Sequence, residues 1–327
     1  MTVNLKKWQL NSLFITGLLP VILAVNRREV ISMNGLIYKK RRKFYILFIM
    51  PAFFIYTFSL AGPLVFGTIP SSLFEWNIMK GVHDFIGLEN FAELLTDKEF
   101  LHSIVFTFML AIVTVLVSNV IGFLVATMVN DKIYCKSIVR AFFFIPNIIS
   151  GVMVAMLWTF IFQKVTPAIG QLMHSAAIEN FSWLSRGTSA FWAICIVSIW
   201  QGMGFLMILY LTGLQTLPND VLEASELDGC TGLSQILRIK IPLLMPTITI
   251  NLFISIANGF KAFDIIYALT QGGPSKTTQT VAINLYDDAF SKFNMGYACA
   301  KSVILFLIII VITGIQMGIT RRKEVQA

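Results

Sequence analysis

The sequence predicts an all-α membrane protein built on six transmembrane helices, and three observations predict it. Of the 327 residues, 56% are hydrophobic and only 13% charged, with a mean hydropathy of +0.76, against about 25% charged in soluble domains. Six apolar runs are each long enough to cross a hydrocarbon core of about 30 Å as a helix rising about 1.5 Å per residue. Lys and Arg collect in alternate connections between those runs.

In chain order the predicted spans cover residues 44–67, 103–129, 138–162, 190–213, 243–268 and 298–320. The first follows a basic run, Lys39, Lys40, Arg41, Arg42 and Lys43. Lys132 and Lys136 separate the second from the third, with Arg140 at the edge of the third. The fourth stops before Pro218, and the loop after it holds Arg238 and Lys240. Pro246 falls in the first turn of the fifth, where its missing N–H is harmless. Arg321, Arg322 and Lys323 close the sixth. The opposite connections hold only Lys80, Lys98, Lys164, Arg186, Lys276 and Lys292, with Lys301 at the edge of the sixth span. This asymmetry places both termini of the six-span core, and the loop at 218–242, in the cytoplasm.

Residues 1–38 read as an N-terminal extension to a membrane domain at 39–327. Lys6 and Lys7 precede an apolar run at 10–25 that Pro20 interrupts and Asn26-Arg27-Arg28 follows. It is short for a span, resembles a signal-peptide core, and lacks a small-residue cleavage site. Two readings stay open: an over-long start, with the native chain beginning near Met33, or an extra helix loosely attached.

Several function classes are excluded. The net charge of +8 comes from residues at span ends, not from a basic stripe interleaved with aromatics, so nucleic acid is not a partner. Cys135, Cys195, Cys230 and Cys299 form no metal or disulfide pattern and read as small buried thiols. The chain shows no phosphate-binding lysine loop, no carboxylate dyad and no Ser/His/Asp set, and no catalytic residue or cofactor is predicted. His83, His102 and His174 fall outside the predicted spans, which argues against a histidine proton relay.

The loop at 218–242 carries the strongest signal. Pro218-Asn219-Asp220 breaks the preceding helix, and Asp220 with Glu223 three residues on offers a capping-box-like start. Two turns follow, ended by Gly229 in a left-handed conformation. A second amphipathic helix is expected next, with Leu233, Ile236 and Leu237 on one side and Gln235, Arg238 and Lys240 on the other, closed by Pro242. Asp220, Glu223, Glu226 and Asp228 make the first helix anionic. Anionic headgroups would repel it, so a protein groove with basic residues suits it better than a lipid surface.

Glu223-Ala224-Ser225, then Asp228-Gly229, then Ile239-x-Ile241-Pro242 resembles the EAA loop of permease subunits of bacterial ABC importers. Further segments resemble the maltose-type, sugar-uptake branch. They are Ile86-Gly87-Leu88-Glu89-Asn90-Phe91, Phe144-Ile145-Pro146, Gly213-Leu214-Gln215-x-Leu217-Pro218, Phe260-Lys261-x-Phe263-Asp264, Gln271-Gly272-Gly273-Pro274 and Gly296-Tyr297-Ala298. The resemblance covers about residues 39–322. Ser225 and Cys230 stand where the pattern has alanine, and Ile241 where it has leucine. The resemblance implies the type I importer fold and a loop in which Glu223, Ala224, Ser225, Asp228, Gly229 and Pro242 dock on a cytoplasmic ATPase. It also implies the partners: a second permease subunit, two ATP-binding subunits, and an external solute-binding protein that largely sets specificity.

A sugar path needs amides, hydroxyls and aromatic faces at helical spacing. Ser198, Gln201, Gly202 and Phe205 provide them on the fourth span, Ser255, Gly259 and Ala262 on the fifth, and Asn147 and Gly151 on the third. Small residues at such spacing also mark tight helix packing; the resemblance favours the path. Lys261 and Asp264, three apart, read either as a structural ion pair on one helical face or as a gate. The rival class is an ion- or proton-coupled secondary carrier. It would show intramembrane carboxylates or inverted repeats, and gives no reason for an EAA loop.

Overall fold

The computed structural model describes residues 47–59, 61–130 and 136–322. The extension at 1–38, the boundary at 39, Lys132, Cys135 and Lys323 lie outside the described residues. The chain divides into a leading unit, Met1–Gly67, and a main unit, Thr68–Ala327. Leu47–Ser71, Lys98–Asn130, Gly151–Leu172, Gly187–Gln215, Met245–Thr270 and Met295–Arg321 are long and apolar enough to cross a membrane. In the leading unit the described residues are helical, with a π-helical turn beginning at Pro63.

The main unit opens with an antiparallel hairpin, β1 (Phe74–Asn77) and β2 (Val82–Phe85), in which Phe74 pairs with Phe85 and Asn77 with Val82. The helices follow: α1 (Lys98–Asn130), α2 (Lys136–Ile148), α3 (Gly151–Phe160), α4 (Gly187–Gln215), α5 (Asn219–Leu227), α6 (Met245–Phe260), α7 (Asp264–Thr270), α8 (Val281–Tyr286) and α9 (Met295–Arg321). α3 runs on through a π-helical turn at Ile161–Val165 into Thr166–Leu172.

α4 is the central post. It lies along α1, with Phe106 and Leu110 near its start and Ala126 and Val129 near its end. Lipid tails are as apolar as leucine, so helix contact here depends on close packing rather than on escape from water. Glycine supplies that closeness. A Cβ on Gly122 of α1 would lie 3.1 Å from Leu206 Cβ and 3.2 Å from the Met207 nitrogen, and one on Gly204 would overlap the Phe143 carbonyl oxygen of α2.

Two predicted spans are broken. The third was expected as one helix over 138–162. It divides at Ile149–Ser150, where Ser150 turns extended (ψ 140°), and the membrane-length run is 151–172. Pro146 supplies no backbone N–H within α2, which weakens the helix just ahead of this break. The fifth, expected over 243–268, divides at Lys261–Phe263 between α6 and α7.

A buried charge network ties the hairpin end of the bundle together, and the sequence did not expose it. Lys301 is 1% exposed and Asp288 2%. Lys301 Nζ donates to Asp288 Oδ2 and to Asn284 Oδ1, and lies 3.2 Å from Asp97 Oδ2. Lys292 holds the other Asp288 oxygen at 2.7 Å, and the Tyr297 hydroxyl donates to Asp97 at 2.9 Å. The start of α1, the α8 region and α9 are thereby joined. Burial pushes the Asp97 carboxyl up, but the Phe100 backbone N–H, the Lys301 charge and the Tyr297 hydroxyl outweigh it and hold the group below its ordinary value of 3.8.

Lys301→Met should cost about 3 kcal/mol, because it leaves buried Asp288 with Lys292 alone as counter-charge and takes the ammonium away from half-buried Asp97. Thermal unfolding of the purified protein in detergent checks this. Asp97 is depressed in the folded state, so its contribution is complete above pH 3.8 and is lost as pH falls through the folded value. Acid melting curves of Asp97→Asn should show less loss of stability below about pH 4 than wild type.

Candidate functional site

The two helix breaks face one cavity of about 570 Å³, half open, walled by α1, α4, α6 and the segments around residues 147–151 and 261–265. Asn147, Gly151, Ser198, Gln201, Gly202, Phe205, Ser255, Gly259, Lys261, Ala262 and Asp264 all line it. The structure therefore brings together every residue singled out for a path. Ser198, Gln201, Gly202 and Phe205 share one side of α4 because they recur at about one helical turn. Gln201 Nε2 donates to the Ile149 carbonyl at 2.9 Å, satisfying an oxygen that the break leaves without a helical partner.

The sequence reading missed the α1 wall, Leu110, Thr114 and Ser118, and it missed Asn258. The α1 positions recur at intervals of four, a usable signal. But Thr114 and Ser118 sit in a run of aliphatic residues that reads equally well as lipid-facing.

Lys261 and Asp264 do not form an ion pair among the described residues. The expectation of a shared helical face fails because Lys261 caps the end of α6 and Asp264 begins α7, with a non-helical break between them in which Phe263 takes φ −133° and ψ −60°. Both are exposed and both border the cavity. They bring one ammonium and one carboxylate to its wall.

The small residues split into two kinds. A Cβ on Gly202 would meet nothing within 4 Å, so that position opens onto the cavity. One on Gly259 would lie 3.3 Å from Ala111 Cβ, and one on Gly151 3.1 Å from Asp264 Cβ. Gly259 and Gly151 thus line the cavity and also serve helix packing. Beside the cavity, Asn119 Nδ2 donates to Ser255 Oγ at 2.9 Å and Asn119 Oδ1 accepts from the Tyr210 hydroxyl at 2.8 Å, which joins α1, α6 and α4 at one level.

The loop at the far end of α4 differs from its sequence reading in four ways. α5 starts at Asn219 with Pro218 as its N-cap residue and no side-chain cap, so the Asp220–Glu223 capping box is not formed. The extended Pro218 (ψ 121°) starts the helix one residue early and places Asp220 inside it. The second helix is one α turn, Gly232–Gln235, continued as a π-helix over Ile236–Lys240. Its sides also fail to segregate as expected: Leu233 and Leu237 are exposed along with Arg238, whereas Gln235 is 5% exposed. Pro242 opens a further short turn, Ile241–Leu243, instead of closing a helix. As expected, Gly229 takes the left-handed turn after α5, with φ +78°.

Glu223, Ala224, Glu226, Asp228 and Leu227 (90% exposed) together present an acidic and apolar surface, while Ser225 is buried beneath it. Of the thiols, Cys195 is buried but Cys230 and Cys299 are only half-buried. His102 falls inside the first turns of α1, since that helix begins five residues before the predicted span. No group of His, Cys, Asp and Glu among the described residues could hold a metal ion.

A cavity between interrupted membrane helices and an acidic loop projecting from the same bundle define a multi-pass membrane transport subunit. Residues 118–325 match the model of the family described as "Binding-protein-dependent transport system inner membrane component", and this chain belongs to that family. It is a permease subunit of an ABC importer, not an enzyme; ATP is hydrolysed by partner subunits. It is 38% identical to the probable starch degradation products transport system permease protein AmyD of Thermoanaerobacterium thermosulfurigenes, over 86% of this chain and 95% of that one. Identity to the multiple sugar-binding transport system permease protein MsmF of Streptococcus mutans is 33%, over 78% and 87%. The fold matches a chain of a bacterial ABC transporter that imports the acidic polysaccharide alginate, with a TM-score of 0.73 at 21% identity, over 88% of this chain and 98% of that one.

Gly202→Trp should fill open space, leaving assembly intact and blocking uptake. Gly259→Trp should push α6 off α1 and lower the yield of assembled complex. Co-purification and uptake measured on both variants check the pair.

Proposed function

We propose that this permease forms half of the translocation path for a neutral sugar or oligosaccharide, with Asn147, Gly151, Ser198, Gln201, Gly202, Phe205, Ser255, Gly259 and Ala262 along it. The cavity wall carries the proposal. It offers amides, hydroxyls and two aromatic rings, Phe205 and Phe263, and its charged groups, Lys261 and Asp264, offset each other. An anion entering a low-dielectric cavity needs uncompensated positive charge, which this wall does not offer. The sugar names of AmyD and MsmF support the same reading. A relative named as an sn-glycerol-3-phosphate permease, UgpA of Agrobacterium fabrum, is 32% identical, so family membership alone does not choose the substrate.

The partners are a second permease subunit, two cytoplasmic ATPases and an external solute-binding protein. A structure of the alginate transporter in complex with its oligosaccharide-bound periplasmic protein supports the last of these. The binding protein delivers substrate to the hairpin side, and α5 docks in a basic cleft of the ATPase with Glu223 paired inside it. Lys261 and Asp264 act at the rim as a gate, held by the helix break instead of by each other. The substrate must bind the two membrane states differently, or closure of the ATPases could not drive it inward. The 218–242 loop and both ends of the six-span core are cytoplasmic on the positive-inside asymmetry.

Two tests follow from this reading. Glu223→Lys should leave the protein in the membrane and abolish co-purification of the ATPases, because breaking an ion pair inside a cleft costs several kcal/mol against under about 1 kcal/mol for an exposed one. Wild-type uptake by this variant would exclude the docking role. In intact cells, Lys98→Cys should react with impermeant thiol reagents and Leu233→Cys should not. The reverse pattern would invert the orientation.

A further inference from the structure

The two halves of the 218–242 loop meet at one buried side chain. Gln235 sits in the Gly232–Gln235 turn with its amide turned back under α5. Its Nε2 lies 3.0 Å from Ser225 Oγ, and 3.4 Å from both the Leu222 carbonyl and Glu226 Oε1. An amide NH₂ has two hydrogens, so Ser225 takes one and the two longer contacts share the other. Ser225 Oγ donates in turn to the Leu222 carbonyl at 2.7 Å. All three partners lie on α5 and around Ser225, the buried residue of that helix, opposite the exposed Glu223 and Ala224.

Besides Gln235, the connection between the halves is held by the Cys230 N–H, which donates to the Ser225 carbonyl at 2.8 Å, and by a 3.5 Å contact of Cys230 Sγ with Ser234 Oγ. It turns through Gly229 at φ +78° and Gly232 at φ +59°, and a Cβ on either glycine would meet nothing within 4 Å. Beyond Gln235 the chain passes by the π-helix and Pro242 to Leu244, which is buried against Leu214, Met207 and Ala126 at the root of α6. Ser255 and Gly259 of the cavity wall are on α6 itself.

We infer that Gln235 is a positioning residue: its amide locks α5 to the root of α6, so that movement of the docked helix reaches the cavity wall instead of dissipating as rotation about Gly229. This rests on the coupling role of α5 proposed above. Ser225 has a function here that alanine could not supply, since the hydroxyl both receives the Gln235 amide and caps the Leu222 carbonyl. Gln235 touches neither substrate nor ATPase on this account.

The test uses the full complex, with partner permease, ATPases and binding protein, in proteoliposomes. A Gly202→Cys probe is labelled with a thiol reagent in the presence and absence of ATP, with the native cysteines changed to serine. The cavity thiol should change its labelling rate on ATP addition. With Gln235→Leu, an apolar side chain of similar size, the ATPases should still co-purify and hydrolyse ATP while the ATP-dependent change falls about tenfold, the effect of losing one to two buried polar contacts. An unchanged response in that variant overturns the inference.

Should Gln235→Leu lose the ATPases as well, the exchange variant Gln235→Glu with Glu226→Gln decides. It keeps the amide–carboxylate contact with donor and acceptor reversed, the new carboxylate accepting from the Ser225 hydroxyl and giving up the Leu222 carbonyl, and restored docking and response support the lock. An exchange variant that docks yet stays unresponsive, or that does not dock, overturns it. Glu223→Lys is read alongside: retention of the ATPases and of the response there would sink the docking role of α5 itself, an outcome distinct from any result at Gln235.

Discussion

In a bilayer each backbone N–H and C=O must find its partner inside the protein, and that constraint decides where the membrane helices of the described residues can be interrupted. Helix interruption at membrane depth is tolerated where the freed groups are buried in protein or line a cavity. Both interruptions, at Ile149–Ser150 and at Lys261–Phe263, border the same cavity. At the first of them a neighbouring amide compensates directly, Gln201 serving the Ile149 carbonyl. The position of the cavity, the way its polar groups face, and the separation of Lys261 from Asp264 all follow from where the helices stop.

Holding such a bundle together is a separate problem, since apolar contact gives little net drive in lipid. The solution is graded along α4. Where α2 crosses it, Gly204 allows the Phe143 carbonyl to approach; where α1 runs beside it, Gly122 does the same; where the wall must stay open, Gly202 faces empty space. Two residues apart on one helix, Gly202 and Gly204 do opposite jobs. Polar groups add fixed points at two levels, the Asn119–Tyr210–Ser255 triad beside the cavity and the Lys301 network at the hairpin end. The second places compensated charge where a lone lysine would be prohibitively costly.

The loop at 218–242 is joined to the cavity wall by α4, which enters it, and by α6, which leaves it. The root of α6 carries Leu244, packed with α1 and α4, and its far end stops at the second break. A helix anchored at the loop and terminated at the cavity can transmit a displacement over its length without bending, whereas the glycine turn at Gly229 cannot transmit one unaided. On the coupling reading, the acidic and leucine-bearing surface of α5 receives the input and the stiff route through Pro242 delivers it.

How much of this was legible follows from range. Composition, six apolar runs and the asymmetry of Lys and Arg determined a six-span membrane protein, because transfer into lipid depends on local hydropathy and on little else. The loop motif determined the family for a similar reason: its spacing is a local property. Side-chain spacing of about one turn along α4 and α6 marked residues that share a cavity, but left path and helix packing open until the family resemblance was added. Tertiary structure alone decided the rest. Where a span breaks depends on whether a neighbour such as Gln201 can take up the freed carbonyl. Whether a glycine packs or opens depends on what lies across from it. Lys301 looked like a span-edge charge because its partners Asp97, Asn284 and Asp288 are distant in sequence. Gln235 looked like solvent-facing polarity because the helix it secures precedes it by a turn through Gly229. Hydropathy records what a residue prefers; only packing supplies the partner that reverses the preference.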